Sequence, residues 1–237
     1  MAVRDVNRPR TVELTDAVLT TDPSEVVNDP NVDVVVEVIG GIEPARSLIL
    51  QAIANGKSVV TANKAVIARH GPEIASAAKA AGVYVLIEAA VGGGIPIIEP
   101  LKQSLGGNRI NRVSGIINGT TNYILTRMAD EGAAYADVLA EAQRLGYAEA
   151  DPAADVDGLD AADKIAILSA LAFGGTVDRD ALPTTGISAL QGRDVEYARQ
   201  LGYGVKLLAV AERLAGQGDP LPPVSYTHLR AHETQFH

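Results

Sequence analysis

Two charged residues one helical turn apart are the first candidates for chemistry. Asp160 and Lys164 lie four residues apart in a segment with helical spacing, so their side chains project from one face. Taken alone, such a pair is an ordinary surface ion pair contributing about 0.2–0.5 kcal/mol. The preceding loop, however, carries Glu149 and Asp155 toward the beginning of the same helix. A partly desolvated lysine among carboxylates can hold a proton and deliver it to a carbonyl oxygen, and such a cluster suits a small zwitterionic ligand.

A second candidate is Lys64, which closes the run Thr61-Ala62-Asn63-Lys64 at the end of a short predicted strand. Ligands of doubly wound α/β sheets bind beyond the carboxyl ends of the strands. Lys64 is therefore placed to meet a cofactor or a substrate. The alternative is a solvated lysine at the beginning of a helix.

A cation site is a third possibility, in the run Glu88-Ala89-Ala90-Val91-Gly92-Gly93-Gly94-Ile95-Pro96. Consecutive glycines can turn backbone carbonyls inward beside the Glu88 carboxylate. Oxygen ligands of this kind suit a hard monovalent or divalent cation. The same glycines are also typical of a hinge between two domains.

Composition limits the class of protein. The 237 residues carry a formal net charge of −9 and include no cysteine. The acidic balance, without a basic stripe, argues against a nucleic-acid partner. The lack of cysteine excludes disulfides, thiolate metal sites and cysteine nucleophiles. No uncharged run reaches the ~18–20 residues of a membrane span, and the N-terminus has no signal-like apolar stretch, so we expect a soluble cytoplasmic protein without a membrane partner.

The elements that must position these residues alternate between strand and helix in the first part of the chain. Apolar, largely β-branched runs predict strands over 32–39, 58–61 and 83–88. Helical spacing predicts helices over 44–55 and 72–81. This alternation is typical of right-handed βαβ units in a doubly wound parallel sheet whose strands are buried on both faces.

Beyond the glycine triplet the pattern changes to an α+β arrangement, and we place a domain boundary near Gly92. Predicted helices cover 96–105, 120–131, 136–145 and 159–173, predicted strands cover 109–118 and 203–214, and a polar acidic loop covers 146–157. We expect apolar side chains of both parts to form the core: Val34, Val36, Val59, Val85, Ile87, Ile165 and Leu168.

Both ends of the chain have unusual sequences. No GxGxxG run precedes the strand at 32–39, so we expect a preceding βαβ unit to be missing. The stretch from Ser225 to His237 holds three of the four histidines, lacks periodicity and follows a proline-rich run. It is either a metal-binding tail or, as we expect, a segment foreign to the fold. The predicted division is therefore 1–91, 92–223 and 224–237.

Several long motifs, in one order, resemble a known enzyme family. The run Ala142-x3-Gly146-Tyr147-Ala148-x2-Asp151-Pro152-x2-Asp155-Val156-x-Gly158-x-Asp160-x3-Lys164 is similar to the pattern of homoserine dehydrogenases. The runs at 61–64, 88–96 and 115–122 (Gly115-Ile116-Ile117-Asn118-Gly119-Thr120-Thr121-Asn122) also resemble that family, and the resemblance covers roughly residues 1–223. It implies reduction of L-aspartate 4-semialdehyde to L-homoserine with NADPH or NADH, on the route to threonine, methionine and isoleucine.

The resemblance also implies roles for individual residues. Lys164 would be the catalytic proton donor, and Glu149 and Asp160 would hold the substrate. Thr61, Lys64 and Gly146 would contact the NADP(H) or NAD(H) cofactor. A sodium-like monovalent cation would be bound by the Glu88 side chain and the carbonyls of Val91, Gly93 and Ile95. The implied fold is an incomplete Rossmann-like sheet, which forms a partial NAD(P)-binding domain, followed by an α+β catalytic and dimerisation domain. The resemblance also implies that the full-length family member is a homodimer.

Two other interpretations remain open. In the first, the chain is a catalytically inactive fragment that acts at most as a folding or oligomerisation module, and we then expect little or no dehydrogenase activity. In the second, the chain is another two-domain dinucleotide oxidoreductase, an interpretation that the run from Gly146 to Lys164 disfavours. Arg8 and Arg10 weakly favour the 2′-phosphate of NADPH over NADH.

Overall fold

The structure is a computed structural model that describes residues 1–12, 14 and 18–213, together with the course of the main chain over 224–232. The chain divides into two compact units, residues 1–98 and 99–237. Within the described residues, no helix is both long enough and apolar enough to cross a membrane.

The first unit is built on a parallel sheet of strands β1 (Val34–Glu37), β2 (Ser58–Thr61) and β3 (Val85–Leu86), in that spatial order. The pairing aligns Val35 with Val59 and Val59 with Val85. Helix α1 (Pro23–Asn28) precedes the sheet, and helices α2 (Ala45–Ala54) and α3 (Lys64–Ala81) connect its strands. The predicted parallel α/β arrangement is confirmed, with β1 and β3 shorter than expected because their outer residues leave the ladder.

Among the described residues, helices cover one face of this sheet and leave the other exposed, which corrects part of the predicted core. Val35 and Val59 are buried beneath the helices. Val34 and Val36 are 52% and 65% exposed, because alternate residues of a strand point to opposite faces. The prediction that they are core residues, and that the strand is buried on both faces, is therefore wrong within the described residues. Val85 and Ile87 are half-buried, whereas Ile165 and Leu168 of the second unit are buried as predicted.

Helix α3 begins eight residues earlier than predicted, at Lys64 rather than Pro72. The side chain of Asn63 accepts a hydrogen bond from the Val66 amide and caps the helix. Proline favours the first turn of a helix, which suggested a beginning at Pro72. Here Pro72 lies inside the helix. The result is that the run Thr61–Lys64 spans the end of β2 and the first residue of α3.

The second unit combines an antiparallel sheet with a set of helices. Strands β4 (Arg112–Gly115), β5 (Gly204–Glu212) and β6 (Val224–His232) form the sheet in that order, with β5 in the centre. Its helices are α4 (Gly119–Glu131), α5 (Tyr135–Arg144), α6 (Ala153–Val156), α7 (Leu159–Phe173) and α8 (Gly192–Gln200), and one π-helical turn covers Pro100–Ser104. Ile124, Val138, Ile165, Ile187 and Ala209 are among its buried residues.

Several predictions for the second unit need correction. The helix predicted over 96–105 is shorter, being helical over 98–104 with Pro100–Ser104 in a π-helical turn, and the acidic loop at 146–157 contains the short helix α6. Helix α8 was not predicted. In the tail, the main chain of residues 224–232 pairs with β5 along its whole length, where no regular element was expected. Residues 214–223 and 233–237, including the predicted strand end at Leu214 and His237, lie outside the described residues.

Candidate functional site

The centre of the candidate site is the pair formed by Lys164 and Asp160. The Lys164 Nζ atom lies 2.7 Å from Asp160 Oδ2 and 2.8 Å from the carbonyl oxygen of Ile117. The side chains of Lys164 and Asp160 are only 19% and 9% exposed. The pair is therefore not an ordinary surface ion pair. An ammonium group has three N–H donors, so one is left for a ligand after these two contacts.

Local structure explains how the pair is placed. Helix α7 begins after Gly158, whose φ of +81° lies in the left-handed region that favours glycine. This turn joins α6 to α7 and puts Asp160 in the first helical turn, where the helix dipole stabilises a negative charge. Lys164 follows one turn later on the same face, as the spacing predicted.

A residue that the sequence analysis did not select, Asn118, connects the carboxylates. Its Nδ2 atom donates to Asp155 Oδ1 at 2.7 Å and to Asp160 Oδ2 at 2.9 Å. Its Oδ1 atom accepts from the amide of Thr121, and so caps helix α4. Asn118 is 5% exposed. The structure thus brings Asp155, Asp160 and Lys164 together around the turn between β4 and α4.

The other two predicted residues of this unit lie on the loop that follows α5. Gly146 has a φ of +78°, and a β-carbon there would meet no atom within 4 Å, so its backbone is open to approach. Glu149 is exposed, and the loop is held through its main chain, since Gln143 Nε2 donates to the carbonyl oxygens of Glu149 and Ala150. Among the described contacts, the Glu149 carboxylate makes no hydrogen bond to the Lys164–Asp160 pair.

The acidic loop also affects a neighbouring tyrosine. Burial raises the pKa of Tyr135, and the negative charge of Asp157 raises it further. Asp157 in turn accepts a hydrogen bond from the hydroxyl of Ser188 at 2.8 Å. These contacts keep the end of α6 close to the segment around residue 188.

In the first unit, the Thr61 side chain is part of a buried, hydrogen-bonded cluster. Its hydroxyl donates to Glu37 Oε2 at 2.6 Å, and Thr61 and Glu37 are 1% and 3% exposed. The other carboxylate oxygen of Glu37 accepts from the amide of Ile39 at 2.7 Å. Asn63 Nδ2 donates to the carbonyl oxygen of Gly41 at 2.8 Å. Thr61 thus helps to shape the loop that follows β1.

That loop and Lys64 lie where ligands of parallel sheets bind. Gly40 follows the carboxyl end of β1, has a φ of +81°, and has no atom within 4 Å of a β-carbon position. Lys64 is the first residue of α3, is half-buried and has a partner in the structure. An open glycine backbone beside the carboxyl ends of parallel strands fits the approach of a dinucleotide. Arg10 lies elsewhere in this unit and donates to the carbonyl oxygens of Asp5, Val6 and Arg8.

The predicted cation loop is anchored by Glu88, which begins a single 3₁₀ turn. Its Oε1 atom accepts from the amides of Ile97 and Ile98 at 2.7 and 2.9 Å. The loop between, with Gly92 at φ +81° and Gly93 at φ +59°, contains the carbonyls of Val91, Gly93 and Ile95. Among the described residues, no three His, Asp or Glu side chains cluster in a way that could hold a metal ion.

A parallel α/β unit with an open glycine loop at its strand ends, joined to an α+β unit with a half-buried lysine among carboxylates, is typical of two-domain nicotinamide-dependent oxidoreductases. Residues 1–88 match the model for the NAD-binding domain of homoserine dehydrogenase, and residues 96–234 match the model for homoserine dehydrogenase. The chain therefore belongs to the homoserine dehydrogenase family.

Individual relatives agree with this assignment. The chain is 60% identical, over 99% of its length, to a homoserine dehydrogenase from Synechocystis, and 51% identical over 92% to one from Corynebacterium glutamicum. The crystal structure of a homoserine dehydrogenase from Thiobacillus denitrificans superposes with a TM-score of 0.81 at 60% identity, covering 83% of this chain and 46% of that one. A hyperthermophilic archaeal homoserine dehydrogenase in complex with NADPH gives a TM-score of 0.72 at 31% identity, covering 88% of this chain and 64% of that one.

The chain spans about half the length of the curated relatives it matches, covering 53% of the Synechocystis enzyme and 48% of the Corynebacterium enzyme.

Proposed function

We propose that this protein reduces L-aspartate 4-semialdehyde to L-homoserine with NADPH or NADH. The observation that carries the proposal is the half-buried Lys164 ammonium, held by Asp160 and the Ile117 carbonyl with one N–H left over. Reduction of an aldehyde to an alcohol needs a proton at the carbonyl oxygen, and a fixed ammonium can supply it.

In this proposal the chain's own residues orient the substrate and handle the proton. The nicotinamide, when bound, supplies the hydride. Lys164 directs its third N–H to the aldehyde oxygen and gives up a proton as negative charge develops there. Asp160 and the Ile117 carbonyl keep the ammonium in one orientation. Positioning of this kind contributes to rate because the donor needs no reorganisation during the reaction.

Glu149 and Asp160 are proposed to hold the substrate. Because Asp160 is already paired with Lys164, the exposed carboxylate of Glu149 is the group better placed to meet the substrate ammonium. A charge-assisted hydrogen bond of this kind discriminates an amino acid from an aldehyde without the amino group.

Thr61, Lys64 and Gly146 are proposed to contact the cofactor. The Thr61 hydroxyl is bonded to Glu37, which supports a role through its backbone and through the loop it shapes. The open backbone of Gly146 supports close approach of a ligand. We further propose that residues 1–91 form the NAD(P)-binding part and residues 92–223 the catalytic part.

A monovalent, sodium-like cation is proposed at Glu88 and the carbonyls of Val91, Gly93 and Ile95. Support comes from the chemistry of the donors, a carboxylate and carbonyl oxygens on one glycine-rich loop, which suit a hard cation. Such an ion would organise the loop and would take no part in the chemistry. A homodimeric, cytoplasmic enzyme of threonine, methionine and isoleucine synthesis completes the proposal.

The test is Lys164→Ala, assayed as NADP⁺ or NAD⁺ reduction with L-homoserine. Loss of a general acid or base costs about 10²–10⁴-fold in turnover, and we expect a loss in this range with nearly unchanged cofactor affinity. Lys102→Ala is the matched control, because that lysine pairs with Glu99 on an exposed surface. Turnover of Lys164→Ala equal to that of the control would remove Lys164 from the mechanism. No turnover by the unsubstituted chain would favour the inactive fragment instead.

A further inference from the structure

We propose that Asn118 is a positioning residue for this reaction. Its side-chain amide sets the spacing of Asp155 and Asp160 and, through Asp160, the direction of the Lys164 ammonium. The inference rests on the proposed function.

The first support is that one amide group serves two carboxylates from two helices. Asp155 belongs to α6 and Asp160 to α7, and the Nδ2 atom of Asn118 reaches them at 2.7 and 2.9 Å. Two carboxylates this close repel each other. Each of the two N–H bonds of Asn118 is directed at one of them, which holds both in place as acceptors.

The second support is that the Oδ1 atom of the same side chain fixes the orientation of the amide. The Oδ1 atom accepts from the amide and from the hydroxyl of Thr121, both at 2.8 Å. With two donors and two acceptor sites used, the buried side chain is satisfied in a single orientation. The amide nitrogen therefore faces the carboxylates and cannot exchange places with the oxygen.

The third support is the position of Asn118 in the chain. Ile117, the residue before it, provides the carbonyl that accepts from Lys164. Two consecutive residues of the turn between β4 and α4 thus hold the ammonium and both carboxylates from one side. A shift of this turn would change the hydrogen bonds of all three charged groups.

Helix capping alone does not account for the arrangement. Serine and aspartate cap helices about as well as asparagine does, yet neither can donate two hydrogen bonds from its side chain. Two substitutions therefore separate the roles. Asn118→Ser keeps a cap but removes the amide donor, and Asn118→Asp keeps a cap but places a third carboxylate beside Asp155 and Asp160.

The first experiment measures kcat and KM for L-homoserine against pH, with L-homoserine binding by calorimetry. We expect Asn118→Ser to lower kcat/KM by about 10- to 100-fold, as for loss of charge-assisted hydrogen bonds. We expect a larger loss for Asn118→Asp, with the acid limb of its profile displaced to higher pH, because a carboxyl group beside two carboxylates has a raised pKa. Gln191→Ser, which alters the cap of α8 in the same unit, is the control.

The charged groups that face residue 118 are Asp155 of α6 and Asp160 of α7, with Lys164 beyond Asp160. Lys206 of β5 contacts α4 further along, at Asn122 and Thr126. The two charged groups nearest to residue 118, Asp155 and Asp160, are both negative. The sign of the displacement in Asn118→Asp is therefore set by like-charge repulsion.

The second experiment needs no activity and follows thermal unfolding of the two variants from about pH 5 to about pH 8. A group whose pKa is raised by folding stabilises the fold at low pH and loses that contribution as the pH rises. Asn118→Asp should therefore become progressively less stable than Asn118→Ser as the pH rises. Equal stability of the two at every pH, or an unchanged kcat/KM in both, would overturn the proposal. If the unsubstituted protein neither turns over nor binds L-homoserine, the proposed function fails and the positioning role with it, whereas the unfolding comparison still shows whether Asn118 holds the two carboxylates.

Discussion

The amide of Ile187 donates to the carbonyl oxygen of Val156 at 2.6 Å, joining the end of α6 to a segment more than thirty residues further along the chain. Gly186, immediately before Ile187, lies so close that a β-carbon on it would collide with the Val156 carbonyl. Only glycine permits this approach. The contact fixes the turn from α6 into α7, and with it the relative positions of Asp155 and Asp160.

We expect Gly186→Ala to destabilise the protein, because the added methyl group must push the two backbone segments apart. Overpacking of this kind costs about 1–3 kcal/mol, and occasionally more. Denaturant unfolding measures the effect. Gly192→Ala is the matched control in the same unit, since a β-carbon there would meet no atom within 4 Å. Equal stability of the two variants would show that the backbone contact is unimportant.

The ion pair between Arg179 and Asp163 is expected to be essential for the stability of the second unit. Arg179 Nε lies 2.5 Å from Asp163 Oδ1, and the side chains are 5% and 11% exposed. Removing one member of a buried pair typically costs about 3–5 kcal/mol, so Arg179→Met should lower the free energy of unfolding by an amount in this range. Arg199→Met removes an exposed pair with Glu196 and should change it by at most about 1 kcal/mol.

The Thr61 hydroxyl should contribute to stability independently of any cofactor. Thr61→Val keeps the shape of the side chain but removes the hydrogen bond to the buried Glu37 carboxylate. Leaving a buried group without a partner costs about 1–3 kcal/mol. Ser47→Ala is the control, because its hydroxyl makes the same kind of bond to Glu43 at an exposed site. A loss no larger than that of the control, in urea unfolding without ligand, would contradict the prediction.

The same valine-to-threonine change, made separately on β1 and on β2, tests which face of the parallel sheet is covered. Val59→Thr puts a hydroxyl group into a fully buried site on β2, and burying an unpaired hydroxyl costs about 1–3 kcal/mol. Val36→Thr on β1 changes an exposed position and should alter stability by no more than about 0.5 kcal/mol. Equally large losses would mean that the exposed face is covered in solution.

The sequence predicted the elements whose signal is local. Strand β2 and helix α7 match their predicted bounds, because β-branched residues define the first and an apolar stripe defines the second. Helix α8 was not predicted because it is mostly polar and buries one residue, Val195. The sequence also did not indicate which face of the parallel sheet is covered, since β1 is apolar at every position except Glu37.

The candidate site likewise combines residues with a local sequence signal and residues that only tertiary contacts bring together. The pair Asp160 and Lys164 was selected from its spacing on one helix together with the acidic loop that precedes this helix. Asn118 was not found, because its carboxylate partners are 37 and 42 residues away in the sequence and no periodicity marks such contacts. The burial that distinguishes this pair from a surface ion pair likewise depends on the tertiary structure.

The central place of β5 in the antiparallel sheet has a consequence for hydrogen exchange. Its residues pair with β4 over Ala209–Glu212 and with β6 over its whole length. In an antiparallel sheet, successive amides of a central strand point alternately to its two neighbours. Alternate β5 amides therefore report on different edges, and their exchange rates reveal whether β4 and β6 separate from β5 in one opening event or in two.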